Sequence, residues 1–434
     1  MDADPANADP YMYNRFPMNT PMDIRLGLTN EDGIHHRLRW GIIAASAISS
    51  DWVKSLQDVP GASVVAIAAR DKDRASAYAD AHGIPTSYDS YEALCNDPNV
   101  DIVYISSKTW HHHRDLMMAI AAGKHVLCEK PFTDTADQAK EAYAAAEKAG
   151  VVCWEGMWTS FFPAIEHARA AIERGDIGEL QVVQSDYPDP VYALNPVVAG
   201  FGTIEFPVIA AAGGQPQLRD EAVAKTGRGA FTEGYSVGHP CAAVLQYPRQ
   251  RSIGVVTMPS ASMPTARFKE ETLFVGTEGR ITVETPAHHP TALTVATGRP
   301  PRRGNRAAEG KPDMEYTSSG GRVGDWLPTH WNQDQNPSSG AFNHVERFEY
   351  PVPNPAPIHA GNPAGSRWTG EKLITYKGWT WGHGNQHGFT YQARAIHRCM
   401  AAGLKEMPQF TIAESIHVCE IIDEIKRQCA ERGF

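Results

Sequence analysis

The sequence has no apolar run long enough to cross a membrane and no excess of basic residues. Its longest apolar runs, such as Val64–Ala69 and Val208–Ala212, are far shorter than the ~18 residues that a membrane-spanning helix needs. Lysine and arginine number 40 against 50 aspartate and glutamate, so the net charge is −10 at pH 7. Because nucleic-acid-binding proteins carry a basic patch or stripe, the sequence predicts neither a nucleic-acid nor a membrane partner.

Paired cysteines and a targeting segment are also missing. The 434 residues include seven cysteines, none in a CxxC pair, so neither a zinc knuckle nor a disulfide framework is predicted. Residues 1–37 contain Asp-Pro and Asn-Thr-Pro but no apolar segment of a secretory signal and no basic amphipathic pattern. We therefore expect a cytoplasmic protein with a flexible N-terminal extension over residues 1–37.

Alternating strand and helix patterns begin at Arg39. Short apolar segments such as Trp40–Ala45, Val64–Ala69 and Asp101–Ser106 are separated by helical patterns. Strands that alternate with helices at this spacing form parallel βαβ units. The sequence predicts an α/β protein whose residues 38–158 form a Rossmann domain with a doubly wound parallel sheet.

The pattern changes after residue 158, where strands follow one another with short turns and no helix between them. This predicts an α+β domain with a largely antiparallel open sheet over residues 159–434. Within it, residues 286–363 hold 12 of the 31 prolines and show little periodicity. We interpret this segment as a long surface excursion, because structureless loops of this length are uncommon inside a compact domain.

The first strand–turn–helix unit is rich in small residues. Gly41, Ala44, Ser46 and Ala47 would let the backbone approach a pyrophosphate and would point a helix N-terminus at it. The full GxGxxG motif is absent, and tight packing of strand against helix would explain the same residues. This unit alone is weak evidence for a dinucleotide site.

The end of the second strand carries information on the cofactor. An NAD site places an acidic residue there for the ribose 2′-hydroxyl, whereas an NADP site places a cation for the 2′-phosphate. Here Ala69 takes the position of the acid and Arg70 follows it. NADP is therefore favoured over NAD, with a local pair between Arg70 and Asp71 or Asp73 as the alternative.

Lys130 follows a strand whose carboxyl end lies at the edge where α/β proteins bind ligands. An ammonium there can hydrogen-bond a substrate hydroxyl and the nicotinamide ribose, and its charge stabilises the alkoxide-like state of a hydride transfer. Pro131 then directs the chain away from the sheet. We predict Lys130 and the adjacent Glu129 as catalytic residues.

Four segments together are similar to a known family: Trp40–Ile48, Ser106–His112, Gly123–Pro131 and Glu155–Pro163. The sequence resembles the glucose–fructose oxidoreductase/inositol dehydrogenase (Gfo/Idh/MocA) family, and within it the branch of dimeric trans-dihydrodiol dehydrogenases and fungal NADP-dependent D-xylose dehydrogenases. The resemblance covers roughly residues 38–200, 230–300 and 385–430. It implies a Rossmann domain followed by an α/β domain whose open sheet often forms a dimer face, and hence a homodimer.

The resemblance also implies roles for individual residues. Those at the pyrophosphate and the 2′-phosphate would be Ala44, Ser46, Ala47, Ile48 and Arg70. Those at the nicotinamide, its ribose and the substrate would be Ser106, Ser107, His112, Glu129, Lys130, Trp158 and Phe162.

The sequence departs from the branch where its Asp and Tyr bind substrate and transfer a proton. By the motif spacing Glu205 stands for the Asp in substrate binding, but Ile209 falls at the Tyr position, and Ser160 replaces an Arg of the branch. An aliphatic side chain cannot act as general acid or base, and losing that role typically costs 10²–10⁴-fold in rate. Either a nearby Tyr187, Tyr192 or His239 replaces the tyrosine, or the chain has lost the chemistry of the branch.

No metal site is predicted, because the consecutive histidines His111–His113 point in different directions and have no acidic neighbour in sequence. Three functions remain open. The first is an NADP-dependent oxidoreductase that moves hydride to or from a sugar (aldose) or cyclic diol. The second is a non-catalytic NADP-binding sensor on the same scaffold, and the third a biosynthetic reductase of a larger apolar substrate. Each takes a small-molecule ligand, and only the second lacks turnover.

Overall fold

A computed structural model describes residues 37–57, 59–187, 189–213, 216–217, 236–237, 241–258, 270–284, 287–298, 344–350 and 388–431. These residues form two main sheets. Among them, no helix is both long and apolar enough to span a bilayer.

The first sheet has six parallel strands in the order β3-β2-β1-β4-β5-β6. Its strands are β1 (Leu38–Ile43), β2 (Ala62–Ala68), β3 (Thr86–Tyr88), β4 (Ile102–Ile105), β5 (His125–Glu129) and β6 (Cys153–Gly156). The intervening helices are α1 (Ala47–Leu56), α2 (Lys72–His82), α3 (Tyr91–Cys95), α4 (Thr109–Ala121) and α5 (Ala136–Ala149). Strands β4 and β5 are buried nearly throughout, as expected for parallel strands covered on both faces.

A 3₁₀ turn, Trp158–Phe161, leads from this sheet into the second domain. The eight-stranded sheet there has the order β16-β15-β14-β13-β7-β12-β11-β8, and only the β7–β12 pair is parallel. The first elements are α6 (Pro163–Glu173), β7 (Leu180–Asp186), α7 (Pro190–Phe201), β8 (Val208–Gly213), β9 (Pro216–Gln217) and β10 (Ser236–Val237). The later strands are β11 (Cys241–Tyr247), β12 (Ser252–Met258), β13 (Thr272–Gly276), β14 (Gly279–Val283), β15 (Ala292–Thr297) and β16 (His344–Glu349). The predicted fold class is confirmed.

Two strands of this sheet lie inside the proline-rich segment 286–363, where the sequence predicts little regular structure. Leu293 and Val295 of β15 and Phe348 of β16 are buried in the main core, and β15 pairs with β16 over its whole length. Prolines flank these strands without interrupting them, so composition averaged over the segment conceals two short alternating runs.

The chain ends with α8 (Phe389–Ala401) and α9 (Ile412–Glu431), which pack against the first domain as well as the second. Trp40 of β1 donates its indole N–H to His397 of α8 at 3.3 Å. Tyr143 of α5 donates its hydroxyl to Ser415 of α9 at 2.8 Å. Both C-terminal helices thereby make side-chain hydrogen bonds to the first domain.

Candidate active site

The turn between β1 and α1 has the geometry of an anion site. Ala44 has φ +76°, in the left-handed region, and Ser46 begins α1 with a capping box in which its side chain accepts the Ser49 amide. Ser106, at the end of β4, donates its hydroxyl to the Ile43 carbonyl at 2.9 Å and lies 3.2 Å from the Ser46 hydroxyl. The structure therefore brings Ala44, Ser46 and Ser106 together before a helix N-terminus, where a pyrophosphate binds in Rossmann domains.

The neighbouring predicted residues flank this turn. Ile48 lies half-buried in the first turn of α1, and the Ala47 side chain is outside the described set. Ser107 donates to the Asp115 carboxylate at 2.6 Å. His112 is buried, with its ring nitrogens 2.8 Å from the Pro131 carbonyl and 2.9 Å from the Ser107 carbonyl. His112 thus braces the loop after β4 against the turn after β5.

Arginines lie on the β2 side of the turn. Arg70 is exposed at the end of β2. Asp71, which the sequence offered as a local partner of Arg70, instead caps α2: its carboxylate accepts the Arg74 amide at 2.8 Å. The Arg74 guanidinium donates to the Ala45 carbonyl, so a second cation reaches the turn. Sequence reasoning missed Arg74, although its position one helical turn after Arg70 was a usable signal.

Lys130 is held by an ion pair at the carboxyl edge of the first sheet. Its Nζ donates to Asp189 Oδ2 at 2.7 Å and lies 4.2 Å from the centroid of the Tyr192 ring. The side chains of Lys130 and Asp189 are 14% and 3% exposed, respectively. Burial, the largest single effect, lowers the pKa of Lys130, but the charge and hydrogen bond of Asp189 together with the other nearby acidic groups outweigh it, and the net pKa is raised. Lys130 is therefore a persistent cation.

Glu129, next to Lys130, is held by the first domain. Its Oε1 accepts the Tyr104 hydroxyl at 2.6 Å, and its Oε2 accepts the Lys130 amide at 3.3 Å. Burial, followed by the charge of Glu129, raises the pKa of Tyr104. This pair fixes the carboxylate beside the lysine.

Tyr192 and Tyr187 lie where the second domain meets Lys130. Trp158 donates its indole N–H to the Tyr192 hydroxyl at 2.5 Å, and the Tyr187 ring lies edge-on to the Tyr192 ring with centroids 4.9 Å apart. Burial is the first cause that raises the pKa of both tyrosines, and nearby carboxylates add to it. Both hydroxyls are therefore protonated at neutral pH and can donate.

Aromatic side chains form the wall around this group. Trp158 stacks on Phe389 with ring centroids 4.5 Å apart and meets Phe162 edge-on at 5.2 Å. The centroids of the His288 and Tyr187 rings are 4.8 Å apart, and His288 Nδ1 lies 2.6 Å from Glu270 Oε2. The pair His288–Glu270 was not predicted, since no local motif marks it.

Two residues that the resemblance assigned to the site lie elsewhere. Ile209 is in β8, three strands from β7 in the same sheet, with its carbonyl accepting from Gln428 at 2.8 Å. Glu205 accepts the Arg249 amide at 3.1 Å in the turn between β11 and β12. That turn lies beside Leu180, at the start of β7. The other end of β7, Asp186, leads to Tyr187 and is about 20 Å away along the strand.

The assignment of Ile209 to the tyrosine position and of Glu205 to substrate binding is therefore corrected. The motif spacing was counted forward from residues 195–200, whereas the residues that face Lys130 come before them, at the start of α7, which begins directly after Asp189. As a result Asp189 and Tyr192 occupy the position facing Lys130. His239 lies outside the described residues, and the Ser160 hydroxyl donates to Asn195 Oδ1 at 3.2 Å.

His113 of the histidine run lies 3.0 Å from Glu141 on α5. Among the residues that the structure describes, no group of three or more His, Cys, Asp or Glu side chains could hold a metal ion.

The chain is similar to known oxidoreductases. Residues 38–157 match the model of the GFO_IDH_MocA family, described as an oxidoreductase family with an NAD-binding Rossmann fold. The trans-1,2-dihydrobenzene-1,2-diol dehydrogenase of Sus scrofa is 28% identical over 403 residues, which cover 90% of this chain and 96% of the relative. The human protein of the same name is 27% identical over 402 residues, with the same coverage.

Solved structures share the fold. A 3-ketoreductase from Actinomadura kijaniata, in complex with NADP and TDP-benzene, has a TM-score of 0.60 at 18% identity and covers 91% of this chain and 98% of its own. A levoglucosan dehydrogenase in complex with NADH and levoglucosan has a TM-score of 0.61 at 17% identity, covering 92% and 98%. The family resemblance predicted from the sequence is confirmed.

Proposed function

We propose that this chain belongs to the Gfo/Idh/MocA oxidoreductase family, whose model its residues 38–157 match, and that it is an NADP-dependent oxidoreductase. It would transfer hydride between the nicotinamide and a carbinol or carbonyl carbon of a sugar or cyclic diol. The observation that carries the proposal is Lys130 Nζ, 2.7 Å from Asp189 and 4.2 Å from the Tyr192 ring, at the carboxyl edge of the parallel sheet. Ligands of open α/β sheets bind at that edge.

The residues at the turn after β1 fit a dinucleotide. Small residues and the capped N-terminus of α1 suit a pyrophosphate. Exposed Arg70 and the Arg74 guanidinium at the Ala45 carbonyl favour a 2′-phosphate, and no acidic residue stands at the position of Ala69. Ser107 and His112 would border the nicotinamide. When bound, the nicotinamide supplies or accepts the hydride.

The chain's own residues would handle charge and proton. Lys130, kept cationic by Asp189, would donate to the reacting oxygen and stabilise its negative charge. Tyr192, protonated at neutral pH, would give the proton to that oxygen in reduction and receive it in oxidation. Glu129 would orient Lys130 and the nicotinamide ribose. Trp158 fixes the Tyr192 hydroxyl by its indole N–H.

The aromatic wall favours a ring-shaped substrate. Trp158, Phe162 and Tyr187 offer flat apolar faces beside the polar pair Lys130–Tyr192, which suits a molecule with one apolar face and adjacent hydroxyls. Relatives named for a cyclic diol and a neighbour crystallised with levoglucosan support this class. We favour a cyclic diol or an aldose in its ring form.

We also propose a homodimer in the cytoplasm. Val208, Val244 and Ile253 are 61%, 43% and 40% exposed on one face of the second sheet, and an exposed apolar patch of this kind marks an interface. All seven cysteines are buried thiols without a disulfide, which suits a reducing compartment.

The function is tested by fluorescence titration with NADPH and NADH, followed by turnover assays with trans-1,2-dihydrobenzene-1,2-diol, D-xylose and levoglucosan. We expect tighter binding of NADPH and turnover of at least one substrate. Lys130→Met should lower kcat by about 10²–10³-fold, since it removes the donor to the developing oxyanion. The matched control is Lys140→Met, which removes an exposed lysine paired with Glu420.

Two results would contradict the proposal. Tight NADPH binding without turnover on any compound would indicate a binding protein in place of an enzyme. Equal loss of activity in Lys130→Met and Lys140→Met would remove the role given to Lys130.

A further inference from the structure

Lys130 lies in a turn whose backbone polar groups are held by the surrounding structure. The Pro131 carbonyl lies 2.8 Å from His112 Nδ1, and the Phe132 carbonyl accepts from the Cys128 thiol at 3.8 Å. The Phe132 amide donates to Glu155 Oε1 at 3.1 Å. The last of these contacts is made by a buried carboxyl group that the proposed chemistry does not use.

Glu155 is a costly residue to bury. It lies in β6 beside Cys128 of β5 and is 3% exposed. Burial raises the pKa of Glu155 to about 7, although hydrogen bonds from Ser415 and Phe132 oppose this. A carboxyl group that is retained in such a place must be compensated by its bonds, and every one of those bonds leads to the Lys130 turn or to the C-terminal helices.

The bonds of the Glu155 side chain belong to a closed circuit of contacts that passes through Phe132. Glu155 Oε2 accepts the Ser415 hydroxyl at 2.5 Å, and Ser415 accepts the Tyr143 hydroxyl at 2.8 Å. The Tyr143 ring then stacks on the Phe132 ring, with centroids 4.4 Å apart and planes 10° apart. Phe132 is therefore fixed both at its amide and at its ring.

The helix α8 contacts the same strand residue from the other side. Gln392 donates its side-chain amide to the Glu155 carbonyl at 3.0 Å. Both C-terminal helices thus contact Glu155, whose carboxyl group also holds the Phe132 amide in the turn that presents Lys130. A shift of this carboxyl group would move the Phe132 amide and, with it, the lysine.

We infer that Glu155 is a positioning residue for Lys130: by holding the Phe132 amide against Ser415 of α9, it fixes the turn that directs the Lys130 ammonium to Asp189. This inference rests on the proposed function for its kinetic consequence. Its structural consequence, the restraint on Lys130, holds whether or not a substrate is known. A misplacement of about 1 Å in a catalytic group costs up to 10²-fold in rate.

The test compares three substitutions. Glu155→Leu removes both hydrogen bonds, Glu155→Gln keeps an acceptor oxygen for the Phe132 amide, and Glu166→Leu is the matched control. Glu166 is also a buried glutamate, 2% exposed, and bonds Gln409 within the second domain. Thermal melting reports folding, and Glu155→Asp, which withdraws the carboxylate by one methylene, replaces Glu155→Leu if the latter does not fold.

The first readout is the rate of reductive methylation of Lys130 by formaldehyde and dimethylamine–borane, followed by peptide mass spectrometry. Lys140, which is 48% exposed, is the internal reference. We expect Glu155→Leu to raise the Lys130 rate about tenfold, the population change expected when a hydrogen bond to a charged group is lost. Glu155→Gln and Glu166→Leu should leave the rate unchanged.

The second readout is kinetic, with the substrate that wild-type protein turns over. Glu155→Leu should lower kcat by about 10²-fold while the KM for NADP is unchanged, and Glu155→Gln should restore most of kcat. Unchanged Lys130 methylation in Glu155→Leu, or an equal change in Glu166→Leu, would overturn the inference. Absence of wild-type turnover would refute the proposed function alone, since the methylation assay still decides the role of Glu155.

Discussion

In the proposed function, proton transfer depends on Tyr192. Its hydroxyl accepts from Trp158 at 2.5 Å and its ring faces Lys130 Nζ at 4.2 Å. The accepted bond leaves the phenolic proton for another acceptor, which in the proposed reaction is the substrate oxygen. Since burial raises the pKa of Tyr192, the donor remains protonated from acid to alkaline pH.

Tyr192→Phe is expected to lower kcat by about 10²–10⁴-fold, the usual contribution of a general acid or base. NADPH binding should not change, because the turn after β1 is untouched. The measurement is steady-state kinetics with the best substrate of the turnover assay, together with an NADPH titration. Tyr187→Phe, in which only the neighbouring hydroxyl is removed, is the matched control.

A larger loss in Tyr187→Phe than in Tyr192→Phe would assign the proton to Tyr187. Equal small losses would mean that the proton comes from neither tyrosine.

The sequence identifies the site residues that belong to one continuous motif. Lys130 and Glu129 are predicted by the end of a parallel strand, and Ser46 and Arg70 by the first two βα turns. Asp189 escapes prediction because it is 59 residues from Lys130 and meets it only through the tertiary fold. The assignment of Ile209 fails for a related reason: spacing in sequence does not tell whether the chain continues as helix or strand.

At the scale of elements, the proline-rich segment 286–363 carries the main difference from expectation. Strand β15 joins β14 to β16, and Leu293 and Val295 are 0% and 4% exposed. The helices and parallel strands of the first domain were predictable because their patterns are long and repeated. A six-residue strand between prolines gives no such repeat, and its partners are supplied by the sheet.

Leu293→Ala is expected to lower the free energy of unfolding by about 2–5 kcal/mol, because it leaves a cavity in the core. Urea denaturation followed by circular dichroism measures the change. Val244→Ala, at a position 43% exposed on the opposite, open face of the same sheet, should cost less than about 0.5 kcal/mol in protein from which dimers have been removed by dilution. A change below about 0.5 kcal/mol in Leu293→Ala would mean that β15 lies on the surface as the composition suggests.

At the scale of the whole molecule, the two sheets are joined by the returning helices. Tyr143 and Ser415 bridge α5 to α9, and Trp154 of β6 donates to the Lys405 carbonyl at 3.0 Å between α8 and α9. The C-terminal helices therefore cover the first domain near Lys130, while Val208, Val244 and Ile253 on the outer face of the second sheet are exposed. The two faces of the second sheet consequently differ: one packs on α6 and α7, and the other exposes valine and isoleucine.

In the proposed homodimer, this face is the interface between the two copies. Val244 pairs with Val255, and Ile253 lies opposite Gln246, which also pairs with Val208, so the exposed residues lie side by side on neighbouring strands. Burying about 800 Å² from each partner suffices for a stable dimer.

The double substitution Val244→Lys and Ile253→Lys places two ammonium groups where two copies would meet, and like charges in a buried interface cannot be desolvated without a partner. Sedimentation equilibrium at micromolar concentration should show a dimer for the wild-type chain and a monomer for the double variant. Asp80→Lys, on exposed α2, changes the net charge by the same two units and should remain dimeric. A wild-type monomer, or a double variant that remains dimeric with Asp80→Lys, would show that this face is not the interface.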